Sequence, residues 1–376
     1  MIPTLNDLRT SIQKKMQDTS SGPPIDYWIN QGKDLIEASW PWPFLRRRGT
    51  IVTVAPVTAG DADVTNGSKN VSSDNGSTSW AAGVVGRKFR IDGENAYYDI
   101  ATRSSATALI LEQVYQGSTA TDSAYSIFQN EYKLPPDMIA PKSLVTMNKP
   151  VKLTWVTLGL FDEKFPSPED TGEPDYSVLL GRENDIYETG TISATVNTSI
   201  MTGSGTSWLS VEGLARGSKI TVGENVYMIK SVDSDTQITV YQNIAATISS
   251  GTSYTIHLDN WIVLLHDIPD AVYNLPFRYQ GHTPPMVDDQ DLLICWPESM
   301  ADLLELYGDI KASDFNHDYN RMDRSEKRFA LRLLEAQRDH GKGALEQVTV
   351  LRSTDDLKLG RRAVRFPSEY PLPWSR

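Results

Sequence analysis

The stretch TSWAAGVVGRKFRIDGENAYYDI, Thr78–Ile100, returns in altered form as TSWLSVEGLARGSKITVGENVYMI, Thr206–Ile229. Alignment pairs Trp80 with Trp208, Lys88 with Lys219 and Ile91 with Val222. It also pairs Gly93, Glu94, Asn95 and Tyr97 with Gly223, Glu224, Asn225 and Tyr227, and farther on Tyr125 with Tyr254. In each copy GEN separates two strand-like runs, FRID from AYYDI and KITV from VYMIK, as a hairpin turn does. Each copy then continues into a second strand pair, ALILEQV with AYSIF and TQITVYQ with SYTIHL. The pattern predicts, in each copy, a small β-barrel or sandwich of about 65–80 residues with five or six short strands. Two copies are too few for a solenoid. The sequence around them resembles neither, so they read as modules inserted into loops of a scaffold, and Trp80 and Trp208 read as core residues rather than sugar platforms.

The scaffold begins with two helices. Leu5, Leu8, Ile12 and Met16 recur at helical spacing, and Trp28, Ile29, Leu35 and Ile36 form a second stripe, with Pro24 near its first turn. The second helix stops at WPWPF, where prolines forbid continuation and Trp40, Trp42 and Phe44 crowd together beside Arg46, Arg47 and Arg48. A basic triplet beside aromatics can contact phosphate. An acidic chain gives it no supporting basic field, however, and a solvated junction or a subunit or partner interface is the better reading.

From Tyr132 to about Glu188 the chain is β-rich: YKLP, SLVTM, VKLTWVTLG, YSVLLG. After the second copy come WIVLLHDIPD and AVYNLPFRYQ, where Tyr273, Leu275, Phe277 and Tyr279 share one strand face. Strands on both sides of the second copy are expected to complete one sheet. Pro297 then opens a helix with Met300, Leu303, Leu304 and Tyr307 on one stripe, and a further helix is expected from Asp318 or Asp323 to His340, with Gly341 as its stop. Asp323 followed by Glu326 resembles a capping box.

From Asp355 the chain has no core-building pattern. Arg361, Arg362, Arg365 and Arg376 alternate with Phe366, Tyr370 and Trp374, and three prolines hold the end extended. Disordered tails are poor in aromatics. An extended arm of about 20 residues spans about 65 Å and suits docking on a partner through arginine and aromatic anchors. The expected organisation is α+β: N-terminal helices over 1–49, a first β module over 50–130, a scaffold β segment over 131–189 and a second β module over 190–256. Scaffold strands and C-terminal helices follow over 257–354, and the arm occupies 355–376.

The 376 residues suggest more than one core. A formal net charge of −12 argues against a broad basic surface that grips nucleic acid. One cysteine, Cys295, excludes an intrachain disulfide and fits a reducing compartment. No apolar run approaches the roughly 18 residues that a membrane helix needs, and the N-terminus lacks a signal-peptide core, so the expectation is a soluble, unprocessed chain.

Catalytic and metal motifs are absent from the sequence. His257, His266, His282, His317 and His340 form no HExxH, and no GxSxG occurs. DFNHDYNRMD, Asp314–Asp323, has Tyr319 where a calcium loop needs its glycine and Ser325 where the bidentate Glu belongs. GSGTSW lacks the lysine and helix of a P-loop. LFDEKFPSPEDTGEPDY offers carboxylates, Glu163 and Glu169 among them, but any acidic loop offers pairs.

The order of parts resembles the head-to-tail adaptor, or connector, proteins of tailed bacteriophages, especially short-tailed ones. The resemblance lies in EASWPWPFLRRRGTI, EYKLPPDMIAPKSL, WVTLGLFDEKFP, IVLLHDIPDAVYNLPFRYQGHTPPMVDDQD and the closing helices, over roughly 1–50, 131–190 and 257–350; the two large inserts depart from it. It implies a virion structural protein of the neck and tail, assembled in the host cytoplasm, that acts as no enzyme and needs no cofactor or metal. Its partners would be the portal protein, a tail nozzle or tail tube protein and further copies of itself in a dodecameric ring. Genomic DNA would pass without specific binding, since acidic chains around a channel repel it. On this reading the arm residues Arg361, Arg362, Arg365, Phe366, Tyr370 and Trp374 bind the portal, while Trp40, Trp42, Phe44, Arg46, Arg47 and Arg48 serve a subunit or partner interface. Two other classes stay open: a virion-associated peptidoglycan hydrolase, and a tail spike or receptor-binding protein.

Overall fold

The computed structural model describes residues 3–16, 24–74, 78–144, 153–165, 170–287, 289, 291–293 and 295–350. These form a mixed α+β structure with five α-helices: α1 (Leu5–Met16), α2 (Ile25–Ser39), α3 (Leu158–Lys164), α4 (Ala301–Phe315) and α5 (Tyr319–Val350). No helix among the described residues is long and apolar enough to cross a membrane.

Helices from the two ends of the chain share one core. Leu5, Leu8, Ile12 and Met16 of α1 are buried with Ile25, Ile29 and Ile36 of α2 and with Leu303, Leu304 and Ala312 of α4. At Gly308 the helices approach so closely that a Cβ would lie 2.2 Å from Ile12 Cδ1. Pro24 stands just before α2, where its missing N–H leaves no helix bond unmade. Pro297 precedes a single 3-10 turn, Glu298–Met300, that runs into α4.

α5 starts at the earlier of its two expected positions and runs past its expected stop. It starts at Tyr319, with Asp318 Oδ1 accepting the Arg321 N–H at 3.1 Å, so Asp323 and Glu326 lie inside the helix and form no capping box. It also runs through Gly341 to Val350. A glycine ends a helix only where the chain turns to positive φ; otherwise it costs about 1 kcal/mol against alanine, and the good helix formers Ala344, Leu345, Glu346 and Gln347 follow.

The scaffold sheet is closed by residues far apart in sequence. Strand Asn274–Gly281 pairs antiparallel with Arg46–Val52 on one edge and with Met138–Leu144 on the other. Leu275, Phe277 and Tyr279 are buried on one face with Ile51, Tyr132, Leu134 and Met138, and Tyr273 packs against them half-buried. Gly49 faces Phe277, whose ring fills the place of a side chain: a Cβ there would lie 2.4 Å from Cζ. A second pairing joins Tyr176–Tyr187 to Thr255–His266 from Tyr176↔His266 to Tyr187↔Ile256, so the strands flanking the second copy do form one sheet. Among the described residues of the segment read as VKLTWVTLG, only Thr154–Trp155 pairs as strand, and α3 begins where the β-branched run ends at Thr157.

The two similar stretches have the same strand order, each with seven strands rather than five or six. In the first, the order is Ala120–Ser123, Ala62–Val64, Asn70–Ser72, Ala108–Leu111, Tyr98–Ser105, Lys88–Ile91, Tyr125–Phe128. In the second it is Ile248–Thr252, Thr191–Ala194, Ile200–Ser204, Gln237–Val240, Asn225–Ser234, Lys219–Val222 and the start of Thr255–His266. Each set surrounds its own apolar cluster, with Trp80 in one and Trp208 in the other.

The same polar relay crosses each core. Trp80 Nε1 donates to Tyr125 OH at 2.8 Å, and that hydroxyl donates to the Ala59 carbonyl at 2.7 Å. Trp208 Nε1 donates to Tyr254 OH at 3.0 Å, which donates to the Thr189 carbonyl at 2.6 Å. The rings meet edge to face at 5.8 and 6.0 Å. One aligned pair is corrected. The register Phe89↔Tyr98 matches Ile220↔Tyr227, so Tyr98, not Tyr97, is the counterpart of Tyr227. The first hairpin has a longer connection, whereas Gly223 and Glu224 alone link the second.

Tyr125→Phe and Tyr254→Phe are each expected to lower stability by about 1–2 kcal/mol, because a buried indole N–H and a carbonyl lose their partner. Hydrogen exchange of the two indole N–H groups checks this: each variant should speed exchange at its own tryptophan and leave the other unchanged.

Candidate functional site

The described residues carry their densest polar chemistry where α2, the scaffold sheet and the second β segment meet. Asn30, Lys33 and Glu37 lie on one face of α2 and hold the extended run 280–286. Asn30 Nδ2 donates to the Met286 carbonyl at 2.8 Å, and the Met286 N–H returns a bond to Asn30 Oδ1 at 2.9 Å. Lys33, almost fully buried, donates from Nζ to the Thr283 carbonyl at 2.8 Å and pairs with Asp34 at 3.1 Å.

Glu37 is 0% exposed. Its carboxylate accepts the Thr283 N–H at 3.0 Å, Trp296 Nε1 at 2.9 Å and the Thr283 hydroxyl, with His282 Nδ1 at 3.3 Å. Gln280 Nε2 caps the carbonyls of Glu37 and Trp40 at 3.0 and 2.8 Å. Burial pushes the Glu37 carboxyl up, but the bonds from His282, Thr283 and Trp296 and the charge of Lys33 outweigh it and hold the group below its ordinary range.

Asp137 forms a second hub across the same junction. Its buried carboxylate pairs with Arg47, accepts Tyr279 OH at 3.1 Å and lies 3.8 Å from Arg216 Nε, and its carbonyl accepts the His282 N–H at 2.7 Å. Burial is the largest influence here and raises the Asp137 carboxyl, against the pull of Arg47, Tyr279 and Arg216. Between the hubs lies a cleft of about 450 Å³ lined by Lys33, Asp137, Arg182, Lys219, His257 and His282.

The residues singled out from sequence fall into separate places. Trp40 is 36% exposed at the end of α2, and Arg46 and Arg48 are exposed on their strand. Trp42 is a correction to the interface reading: it is buried, its indole donates to the Ile36 carbonyl at 2.7 Å, and it stacks on Phe44 at 5.6 Å. Half-buried Phe44 in turn meets Trp296 at 6.1 Å, which ties it to the helical core. Arg47 is a further correction, because strand alternation turns it inward to Asp137 between its exposed neighbours. Arg361, Arg362, Arg365, Phe366, Tyr370 and Trp374 lie outside the described residues, as does Glu169. Glu163 is exposed on α3, away from the cleft lining.

No family model matches the chain, and no curated protein matches it. Both Glu37 oxygens carry donors, so this carboxylate is occupied as a clamp between helix and strand rather than poised as a base. The sequence signal for it was a pair of charges, Lys33 and Glu37, interrupting the apolar stripe of Ile29 and Ile36.

Glu37→Gln should lower stability by roughly 3–5 kcal/mol at pH 7, since it removes one charge from a buried, bonded set. The folded carboxyl titrates below the unfolded one, so its contribution is complete above about pH 4.3 and fades as pH falls through the depressed folded value. Urea unfolding of both proteins at pH 7, 5 and 3.5 should show the gap narrowing only at the lowest pH.

Proposed function

We propose that this chain is a virion structural protein, a head-to-tail adaptor of a tailed bacteriophage that forms a ring beneath the portal, extends the DNA channel and gives the tail its platform. The observation that carries this reading is the outer face of α5, where Leu331 and Leu334 are 64% and 61% exposed. Two leucines one turn apart, uncovered on a long helix, are what a neighbouring subunit buries in a closed ring. The net charge of −12 supports a channel that DNA traverses without adhering.

On this reading the two β segments are inserted barrel- or sandwich-type modules that face neighbouring subunits or tail proteins. Trp40, Arg46 and Arg48 belong to a partner interface. Arg361, Arg362, Arg365, Phe366, Tyr370 and Trp374 form the arm that docks on the portal protein.

Electron microscopy with mass measurement, on the chain alone and mixed with portal rings, tests the proposal. A ring coaxial with the portal is expected. A trimer that binds glycans would overturn the reading, and so would peptidoglycan cleavage that Glu163→Gln abolishes. Leu331→Glu combined with Leu334→Glu should leave the chain folded by circular dichroism yet unable to form the ring. Truncation before Lys358 should abolish docking while leaving the folded core intact.

A further inference from the structure

Strand Thr255–His266 ends beside α3 and the short strand Thr171–Gly172. Ile268–Pro269 pairs parallel to Thr171–Gly172, and the Ile268 N–H donates to the Asp170 carbonyl at 3.0 Å. This pairing brings Asp170 next to His266 and Asp267. One ligand atom from each of the three lies within 4.8 Å of the others.

The imidazole supplies an observation of its own. His266 is 6% exposed, and its ring is fixed by Phe165 stacked at 3.7 Å and by the edge of Phe161 at 6.1 Å. Its Nδ1 is buried and lies 2.8 Å from Asp267 Oδ1, but off the line of a hydrogen bond, so the nitrogen has no hydrogen-bond partner. A buried polar atom left in that state costs free energy unless something satisfies it.

We propose that Asp170, His266 and Asp267 bind a divalent cation of the zinc class. One imidazole and two carboxylates make a mixed nitrogen and oxygen set, which suits zinc better than the all-oxygen cages of magnesium or calcium. Ligand atoms of one zinc ion lie at bond lengths of about 2.0–2.2 Å, so rotation of the two carboxylates closes them, with the fixed imidazole, onto an ion and leaves a position for water. The aromatic wall keeps one side dry, which strengthens the attraction. The bound ion would pin the 170–172 segment to the end of the long scaffold strand, a structural task. The other set of this kind at the junction, Asp34, Glu37 and His282, is unlike it: Glu37 is saturated by donors, and the Lys33 ammonium stands 3.1 Å from Asp34.

The test uses the full-length chain without an affinity tag, stripped with EDTA and desalted, then titrated with Zn²⁺ by calorimetry and assayed for bound metal. One Zn²⁺ per chain is expected, together with a melting temperature that rises until that equivalence and visible absorption bands when Co²⁺ is used instead. Asp170→Asn and Asp267→Asn should each weaken binding at least about tenfold; Asp170 is exposed, so its variant keeps the fold. Asp122→Asn, in the unrelated acidic group with Asp63 and Asp74, should bind as the wild type does. Absence of saturable Zn²⁺ binding, binding unchanged in both Asp170→Asn and Asp267→Asn, or binding of Mg²⁺ or Ca²⁺ in preference to Zn²⁺ would each overturn the proposal.

Discussion

The pairing of strand Asn274–Gly281 on both of its edges is the constraint on which the remaining structure depends. One partner, Arg46–Val52, lies about 220 residues earlier in the chain, and the other, Met138–Leu144, lies between the two β segments. Loop-closure entropy grows only with the logarithm of length, about 0.6 kcal/mol for each doubling. Long excursions therefore weaken this closure little. The same strand carries Gln280, which caps the end of α2, and runs directly into the 282–286 segment held by Asn30, Lys33 and Glu37. Helical core and sheet are thus keyed to one strand.

Buried and half-buried carboxylates mark the points where elements lock together, and they differ in how fully they are satisfied. Glu37 joins α2 to the strand's exit, and Asp309 joins α4 to α5 through Arg321 and Ser325. Burial works against the charge at both, yet bonded donors prevail and hold both carboxyls low. At Asp137 desolvation prevails, and the carboxyl is raised. Acidification therefore weakens the first two contacts and relieves the third, so these junctions answer pH in opposite directions.

Elements with strong periodicity were legible in the sequence. The stripes of α1 and α2, the alternation through Leu275, Phe277 and Tyr279, and the duplicated TSW and GEN stretches each announce themselves by spacing. Facing and register were harder. Because strand Arg46–Val52 starts at the first arginine, period-two alternation sends Arg47 inward, which a reading of the triplet as one basic patch misses. Matching the identical GEN of the two copies pairs Tyr97 with Tyr227, although the connection after it is longer in the first. The Glu37 clamp and the His266 group were hidden for a common reason: each assembles from residues that only tertiary pairing brings together.

The two β segments also share a property of their ends. Where the first leaves and rejoins the scaffold, Val57 bridges to Ile127; at the second, Tyr187 stands across from Ile256. Cα atoms so paired are about 5 Å apart, a gap that a tight turn spans. On the proposed reading of the two segments as inserted modules, each would be a cassette whose excision or exchange keeps the host strands in register. Such a cassette would be gained, lost or traded in one genetic step, its outward surface free to diverge while the tryptophan–tyrosine relay inside stays the same.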